Sequence, residues 1–87
     1  MTPTDIRAVI KDELARIAPE VEFEFLEPTA DLRDAADIDS MDFLNLVTAL
    51  HVRLGVDIPE ADTPRLVTLQ GAVDYLAGKL GAGGRAV

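Results

Sequence analysis

The stretch Asp37-Ile38-Asp39-Ser40-Met41-Asp42 constrains this chain more than any other. A loop rich in small and acidic residues leads into it, and an apolar pattern at Phe43, Leu46, Val47, Leu50 and Leu54 leads out of it. At about 100° per residue those side chains share one stripe of a helix. A helix therefore begins at Asp39 or Ser40, both favoured N-cap types, and Gly55 ends it, which predicts a helix over residues 40–54. The Ser40 hydroxyl then stands at the positive end of a helix macrodipole. Backbone N–H groups and the dipole both favour a negative group there, such as a phosphate. Asp-Ser before an apolar run is most often only a cap, so position alone assigns no chemistry. The only histidine, His51, lies three turns further on, and there is no cysteine. With no general base in view, a self-activated serine nucleophile is disfavoured, and no catalytic residue is assigned. Chemistry at Ser40 requires a catalyst supplied by another protein.

The flanking segments read as further helices. Thr2-Pro3-Thr4 with Asp5 opens a first helix over residues 4–17, with Ile6, Val9, Ile10, Leu14 and Ile17 at helical spacing and Pro19 preventing extension. Arg7, Lys11 and Arg16 read as solvated surface on that helix. Residues 18–39 form a long connection. Val21 to Phe25 alternates like a strand, but nothing else in the sequence offers a pairing partner. The expectation is an extended loop whose Phe23, Phe25 or Leu26 fills the core, with Leu32 anchoring its second half. Ile58 should be buried in the connection Val56–Pro59, and Pro64 limits Glu60–Leu66 to a brief helix. Thr68 caps a last helix that turns Leu69, Val73, Leu76 and Leu80 inward, and Gly81-Ala82-Gly83-Gly84 begins a flexible tail. The fold class is all-α: a small four-helix bundle of three main helices and one short one, with a long first loop. The domain covers residues 1–80 and the tail residues 81–87.

Size and charge narrow the function. A chain of 87 residues is one small domain with a modest core and no room for a deep enzyme cleft. The absence of cysteine excludes disulfides and thiolate metal sites, and suits a reducing cytoplasm. A net charge of −8 argues against nucleic acid and anionic membranes and favours basic partners met in steered encounters. No signal peptide or membrane-spanning segment is visible, so stable membrane insertion is not expected. Asp31, Asp34, Asp37, Asp39 and Asp42 cluster before and at the second helix, yet the mid-loop glycine and terminal glutamate of a calcium-binding loop are missing. They read as a solvated acidic loop, and no metal site is assigned.

Asp39-Ser40-Met41, then Leu44, Leu46-Val47 and Ala49-Leu50, then Ile58-Pro59, and finally Leu69, Ala72-Val73 and Tyr75-Leu76 resemble the acyl carrier protein family over roughly residues 4–80. The resemblance implies that Ser40 carries 4′-phosphopantetheine, placed there from coenzyme A by a phosphopantetheinyl transferase. Asp39 would help that transferase and its magnesium ion engage. The arm's thiol would hold an acyl group as a thioester and present it to acyl-transfer and acyl-modifying enzymes, from a protein that is cytoplasmic and monomeric. Phe43, Leu46, Val47 and Leu50 are candidates for an acyl pocket wall, and are equally compatible with ordinary core. Leu32 matches an apolar anchor that the family carries upstream of its serine.

Two departures from the family pattern stand out. Ala36-Asp37 replaces the usual Leu-Gly, and aspartate takes positive φ less readily than glycine, so a different loop approach to Ser40 is expected. The outward face of the second helix is acidic in the family. Here Met41, Asp42, Leu44, Asn45, Thr48 and Val52 form the candidate partner-binding face, with Asn45, His51 and Val52 where glutamates are typical and Arg53 nearby. This favours a specialised carrier over a general fatty-acid one and leaves fatty acid, polyketide and specialised lipid pathways open. A peptidyl or aminoacyl carrier and an unmodified carrier-like interaction module are the competing readings.

Overall fold

A computed structural model describes the backbone of residues 2–86 and the side chains of residues 2–80. Helix α1 spans Pro3–Ile17 and starts from a capping box: the Asp5 N–H donates to Thr2 Oγ1 at 3.2 Å, and the Thr2 N–H to Asp5 Oδ2 at 3.1 Å. The Thr2 N–H first, and then the Thr2 hydroxyl, hold the Asp5 carboxyl below its ordinary pKa. Ile6, Val9, Ile10 and Leu14 are buried at the spacing the sequence predicts. Glu13 is also buried, at 8% exposure. A buried carboxylate needs a partner, and Arg53 of α3 supplies it at 3.0 Å while also reaching Asp12 of α1 at 3.0 Å. One guanidinium thus ties α1 to α3 (Ser40–Leu54).

The connection after α1 is not extended. Phe23–Phe25 forms a 3-10 turn closed by the Leu26 N–H on the Phe23 carbonyl. In this geometry residues three apart share a face. Phe23 and Leu26 therefore enter the core together, while Phe25 is 80% exposed. With no strand among the described residues to pair with, the Val21–Phe25 segment folds on itself instead of staying extended. The basic residues of α1 take part here: Lys11 pairs with Glu24 at 2.9 Å, and Arg7 lies 5.1 Å above the Phe23 ring. Lys11 and Arg7 are thus engaged rather than merely solvated.

The second half of the connection contains a helix that periodicity could not reveal, the four-residue α2, Leu32–Ala35. Asp31 caps it by accepting the Arg33 N–H at 2.9 Å. Leu32 is buried, as expected of an anchor. Backbone bonds from Leu32 N to the Val67 carbonyl at 2.6 Å and from Gln70 N to the Pro28 carbonyl at 2.8 Å stitch this segment to the residues at the start of the last helix, α4 (Leu69–Ala86). An isolated bridge pairs Asp31 with Thr68, and no strand forms among the described residues.

Helix α3 ends at Gly55 with φ 65°. The short helix expected after it is a 3-10 segment, Glu60–Leu66, with Pro64 inside. Helix α4 spans Leu69–Ala86, and Thr68 Oγ1 accepts the Gly71 N–H at 2.9 Å. Leu69, Val73 and Leu76 are buried and Leu80 packs partly against them. The helix is traced past Gly81, where a flexible tail was expected. The side chains of residues 81–87 lie outside the described residues, and the tail stays an expectation. The architecture is the expected all-α bundle of three main helices and the short segment Glu60–Leu66, with a long first loop that itself holds the Phe23–Phe25 turn and α2.

At Gly71 the backbone of α4 closely approaches that of the 3-10 segment. A Cβ there would lie 2.7 Å from the Arg65 carbonyl oxygen and 2.8 Å from Thr68 Oγ1. Gly71→Ala should therefore destabilise by about 1–3 kcal/mol, since overpacking against backbone cannot be relieved by a rotamer change. Gly78 meets nothing within 4 Å, so Gly78→Ala should stabilise by about 0.5–1 kcal/mol through helix propensity. Paired thermal melts check both, and equal midpoints for the two variants would refute the crowding argument.

Candidate functional site

The approach to Ser40 is set by two consecutive backbone devices. Helix α2 ends in a Schellman motif: the Ile38 N–H donates to the Arg33 carbonyl at 2.9 Å and the Asp37 N–H to the Asp34 carbonyl at 3.3 Å. Such a motif places its C′ residue in the left-handed region. Asp37 occupies that position with φ 55°. The expectation of a different approach is thus corrected: aspartate adopts the conformation that glycine would supply, at a cost of about 1–2 kcal/mol. Ala36 and Ile38 are buried on either side and hold the turn in place.

The second device is the cap. Asp39 has extended backbone, its Oδ1 accepts the Asp42 N–H at 2.8 Å, and its carbonyl accepts the Phe43 N–H at 3.0 Å. Asp39 is the N-cap and Ser40 the first residue of α3. The sequence left both assignments open. With the cap supplied by its neighbour, the Ser40 hydroxyl takes no part in it and is exposed. The first-turn N–H groups beside it have no preceding helical carbonyl to meet. Asp37 and Asp42 form no ion pair among the described residues, so the acid around Ser40 is uncompensated on that side.

Ser40 opens onto a groove of about 400 Å³ between α3 and the 3-10 segment, lined by Arg33, Phe43, Leu44, Glu60, Pro64 and Val67 among others. Arg33 is the residue that sequence reasoning missed. It lies two places from Asp31, and its Nε and Nη2 donate to the two Asp31 oxygens at 3.0 and 2.7 Å. Its guanidinium also lies 5.7 Å above the Phe43 ring. The pairing with Asp31 holds the Arg33 pKa above, and the Asp31 pKa below, their ordinary values. The only sequence signal was an Asp-x-Arg pair ahead of the serine, which is too common to single out.

The remaining candidates divide by burial. Phe43 is buried but borders the groove, whereas Leu46, Val47 and Leu50 are packed in the core away from it. Met41, Leu44 and Val52 are 67%, 48% and 72% exposed on the opposite face, with Asn45 and Thr48 exposed between them. The Thr48 hydroxyl donates back to the Leu44 carbonyl at 3.0 Å. The Arg53 charge is neutralised by Asp12 and Glu13, and His51 Nδ1 meets the Val56 carbonyl at the end of α3.

The far wall of the groove is itself pinned. Tyr75 of α4 is buried and donates its hydroxyl to Asp62 Oδ2 at 2.6 Å, fastening the 3-10 segment. Arg65 and Lys79 lie 4.9 and 5.5 Å from its ring.

Fold and site together define a class: a small helical domain that displays an unengaged serine hydroxyl at a capped helix start, beside an open groove. Comparison with known proteins is consistent with that description. The sequence matches the family described as a phosphopantetheine attachment site over residues 4–76. It is also 30% identical over 77 residues to an acyl carrier protein of Thermosynechococcus vestitus, covering 88% of this chain and 89% of that one. The chain belongs to the phosphopantetheine-binding acyl carrier protein family. Membership implies a 4′-phosphopantetheine prosthetic group. The residues at the head of α3 fit one: an exposed hydroxyl not engaged in the cap, first-turn N–H groups, and a guanidinium lining the adjoining groove. No described helix is long and apolar enough to cross a membrane.

The Tyr75–Asp62 contact has a pH signature. Burial, followed by the hydrogen bond to Asp62 and its charge, pushes the Tyr75 phenol up to about 12. An unfolded tyrosine titrates near 10. The neutral phenol is thus favoured by the fold. Its contribution is complete below about pH 10 and is lost as pH rises toward 12, by about 1.4 kcal/mol per unit. Urea unfolding of wild type and Tyr75→Phe at pH 9 and pH 11 should show the stability difference moving against wild type. A difference that does not change with pH would overturn this account.

Proposed function

We propose that Ser40 is the attachment point of the phosphopantetheine arm, and that the protein carries acyl groups as thioesters between acyl-transfer and acyl-modifying enzymes of lipid or polyketide biosynthesis. The observation that carries this reading is the division of labour at the head of α3: Asp39 caps the helix and leaves the Ser40 hydroxyl exposed and unengaged. The acyl carrier protein among its relatives supports the acyl cargo. A phosphopantetheinyl transferase supplies the base that Ser40 lacks. The Ser40 oxygen attacks the β-phosphorus of coenzyme A, a phosphodiester forms, and the adenosine bisphosphate leaves. The Asp39 carboxylate keeps the first turn ordered and offers an oxygen toward the transferase's magnesium ion. When bound, the arm supplies the thiol chemistry, so the chain itself needs only exposure and phosphate tolerance at Ser40.

The outer face of α3 supplies partner recognition in this reading. Met41, Leu44 and Val52 form an apolar line with Asn45 and Thr48 beside it, and Asp39 and Asp42 set acid at the serine end. Acid steers a basic partner toward Ser40, and the apolar line supplies burial once contact is made. That pattern suits a dedicated partner of a specialised pathway better than enzymes that read an acidic stripe.

Incubation with a broad-specificity transferase, magnesium and coenzyme A should add the mass of one phosphopantetheine. Ser40→Ala should abolish the addition with helical circular dichroism unchanged, and an equal adduct on the variant would sink the assignment. On the recognition face, Leu44→Arg should lower turnover by an acyl-transferring partner by about tenfold, within the range of a well-placed interface residue, while melting near wild type. A folded Leu44→Arg protein with undiminished turnover would refute the apolar line.

A further inference from the structure

We propose that Arg33 is the positioning residue for the arm: its guanidinium, fixed by Asp31 and stacked on Phe43, holds the phosphodiester of a loaded Ser40 at the mouth of the groove between α3 and the 3-10 segment. This rests on the reading of Ser40 as the attachment point.

Three observations converge on it. Arg33 is the one cationic side chain among the residues lining the groove onto which Ser40 opens. Asp31 engages its Nε and Nη2, and the Nη1 group has no partner among the described residues. The side chain is held without being buried: it remains 41% exposed, gripped from one edge by a carboxylate and lying over an aromatic face. A guanidinium prepared in this way loses little further freedom when it meets an anion. The other basic side chains among the described residues lie outside the lining of this groove.

The electrostatics give the arrangement its purpose. A phosphodiester on Ser40 carries a negative charge into a neighbourhood that already holds Asp37, Asp39 and Asp42. Repulsion from that side drives the arm away from the acidic loop. The groove side holds Glu60 and Asp31 as well, the latter already paired with Arg33, and the open Nη1 edge of Arg33 is the cationic contact the arm meets there. The first stretch of the arm is thereby laid along Phe43 and Leu44 rather than projecting at random from the helix start. The acyl thioester is then delivered from a preferred direction, beside the recognition face of α3.

The test uses holo protein, with attachment at Ser40 checked by mass spectrometry. In wild type, conversion from apo to holo should shift the Arg33 side-chain Nε–H and Nη resonances, and the arm's amides should show NOEs to Phe43 and Leu44. In holo Arg33→Gln those NOEs should weaken by on the order of two- to fivefold, the population change that an exposed ionic contact of ordinary strength commands. The phosphorus-31 resonance should move, and Arg33→Lys should recover part of both effects. Raised salt on wild type should reproduce the Gln phenotype, which keeps the test informative if a variant folds poorly. Unshifted Arg33 resonances in holo wild type, or arm NOEs unchanged in Arg33→Gln, would overturn the proposal while leaving Ser40 as the attachment point. Absence of an arm on Ser40 in wild type would overturn the reading beneath it as well.

Discussion

The hydrogen bond from the Asp42 N–H to the Asp39 carboxylate, at 2.8 Å, is the interaction on which the site depends. A helix start must satisfy its leading N–H groups, and a serine in that place would ordinarily turn its own oxygen back to do so. By giving the task to Asp39 the chain holds α3 rigid from its first residue and leaves the Ser40 oxygen facing outward. The helix before it sets the geometry. The Schellman turn at Asp37 reverses the chain so that the carboxylate of Asp39 arrives at the mouth of α3 in capping position. A left-handed aspartate is an unfavourable conformation, and burial of Ala36 and Ile38 around it offsets the cost.

Distant contacts keep that local arrangement in register. The long first connection would be expensive to order if left to itself. It is instead fastened at intervals: by Phe23 and Leu26 in the core, by Leu32 bonded to Val67, and by Pro28 bonded to Gln70. Those fasteners fall on the same junction that Gly71 and Tyr75 hold against α4. The groove beside Ser40 therefore has one wall on α3 and another whose position is set by α4, although none of the described side chains of α4 lines it.

Much of this was legible in the sequence. The main helices are read directly from apolar periodicity, since Ile6, Val9, Ile10 and Leu14, or Leu46, Val47 and Leu50, can share a face only in a helix. The ends of α3 followed from the chemistry of Asp39 and Gly55. Three features were not legible, each for a physical reason. Helix α2 is a single turn, too short to show a period, and is held by the tertiary bond from the Leu32 N–H to the Val67 carbonyl beside the Asp31–Thr68 bridge. The 3-10 turn at Phe23 follows from which aromatic residues the core could accept, and not from local propensity. Arg33 gains its importance from a stacked ring ten positions away and a groove assembled from three segments. The left-handed Asp37 was misjudged in the opposite direction, because an unfavourable conformation is readily imposed by the hydrogen bonds around it.

The Arg53 clamp carries a consequence for how this surface could diverge. Its guanidinium neutralises Asp12 and Glu13 alongside the last turns of α3, so charge fades along the helix from an acidic head to a neutral tail. Loss of that one side chain would leave Asp12 uncompensated beside the tail and Glu13 with only Arg16, at 3.9 Å, so that acid would stand at both ends of the helix. Because the same side chain ties two helices together around a buried glutamate, such a change could not be made for recognition alone. The electrostatic dialect of the docking surface is written in a residue that also belongs to the frame, and drift in partner preference is held back by the stability of the fold.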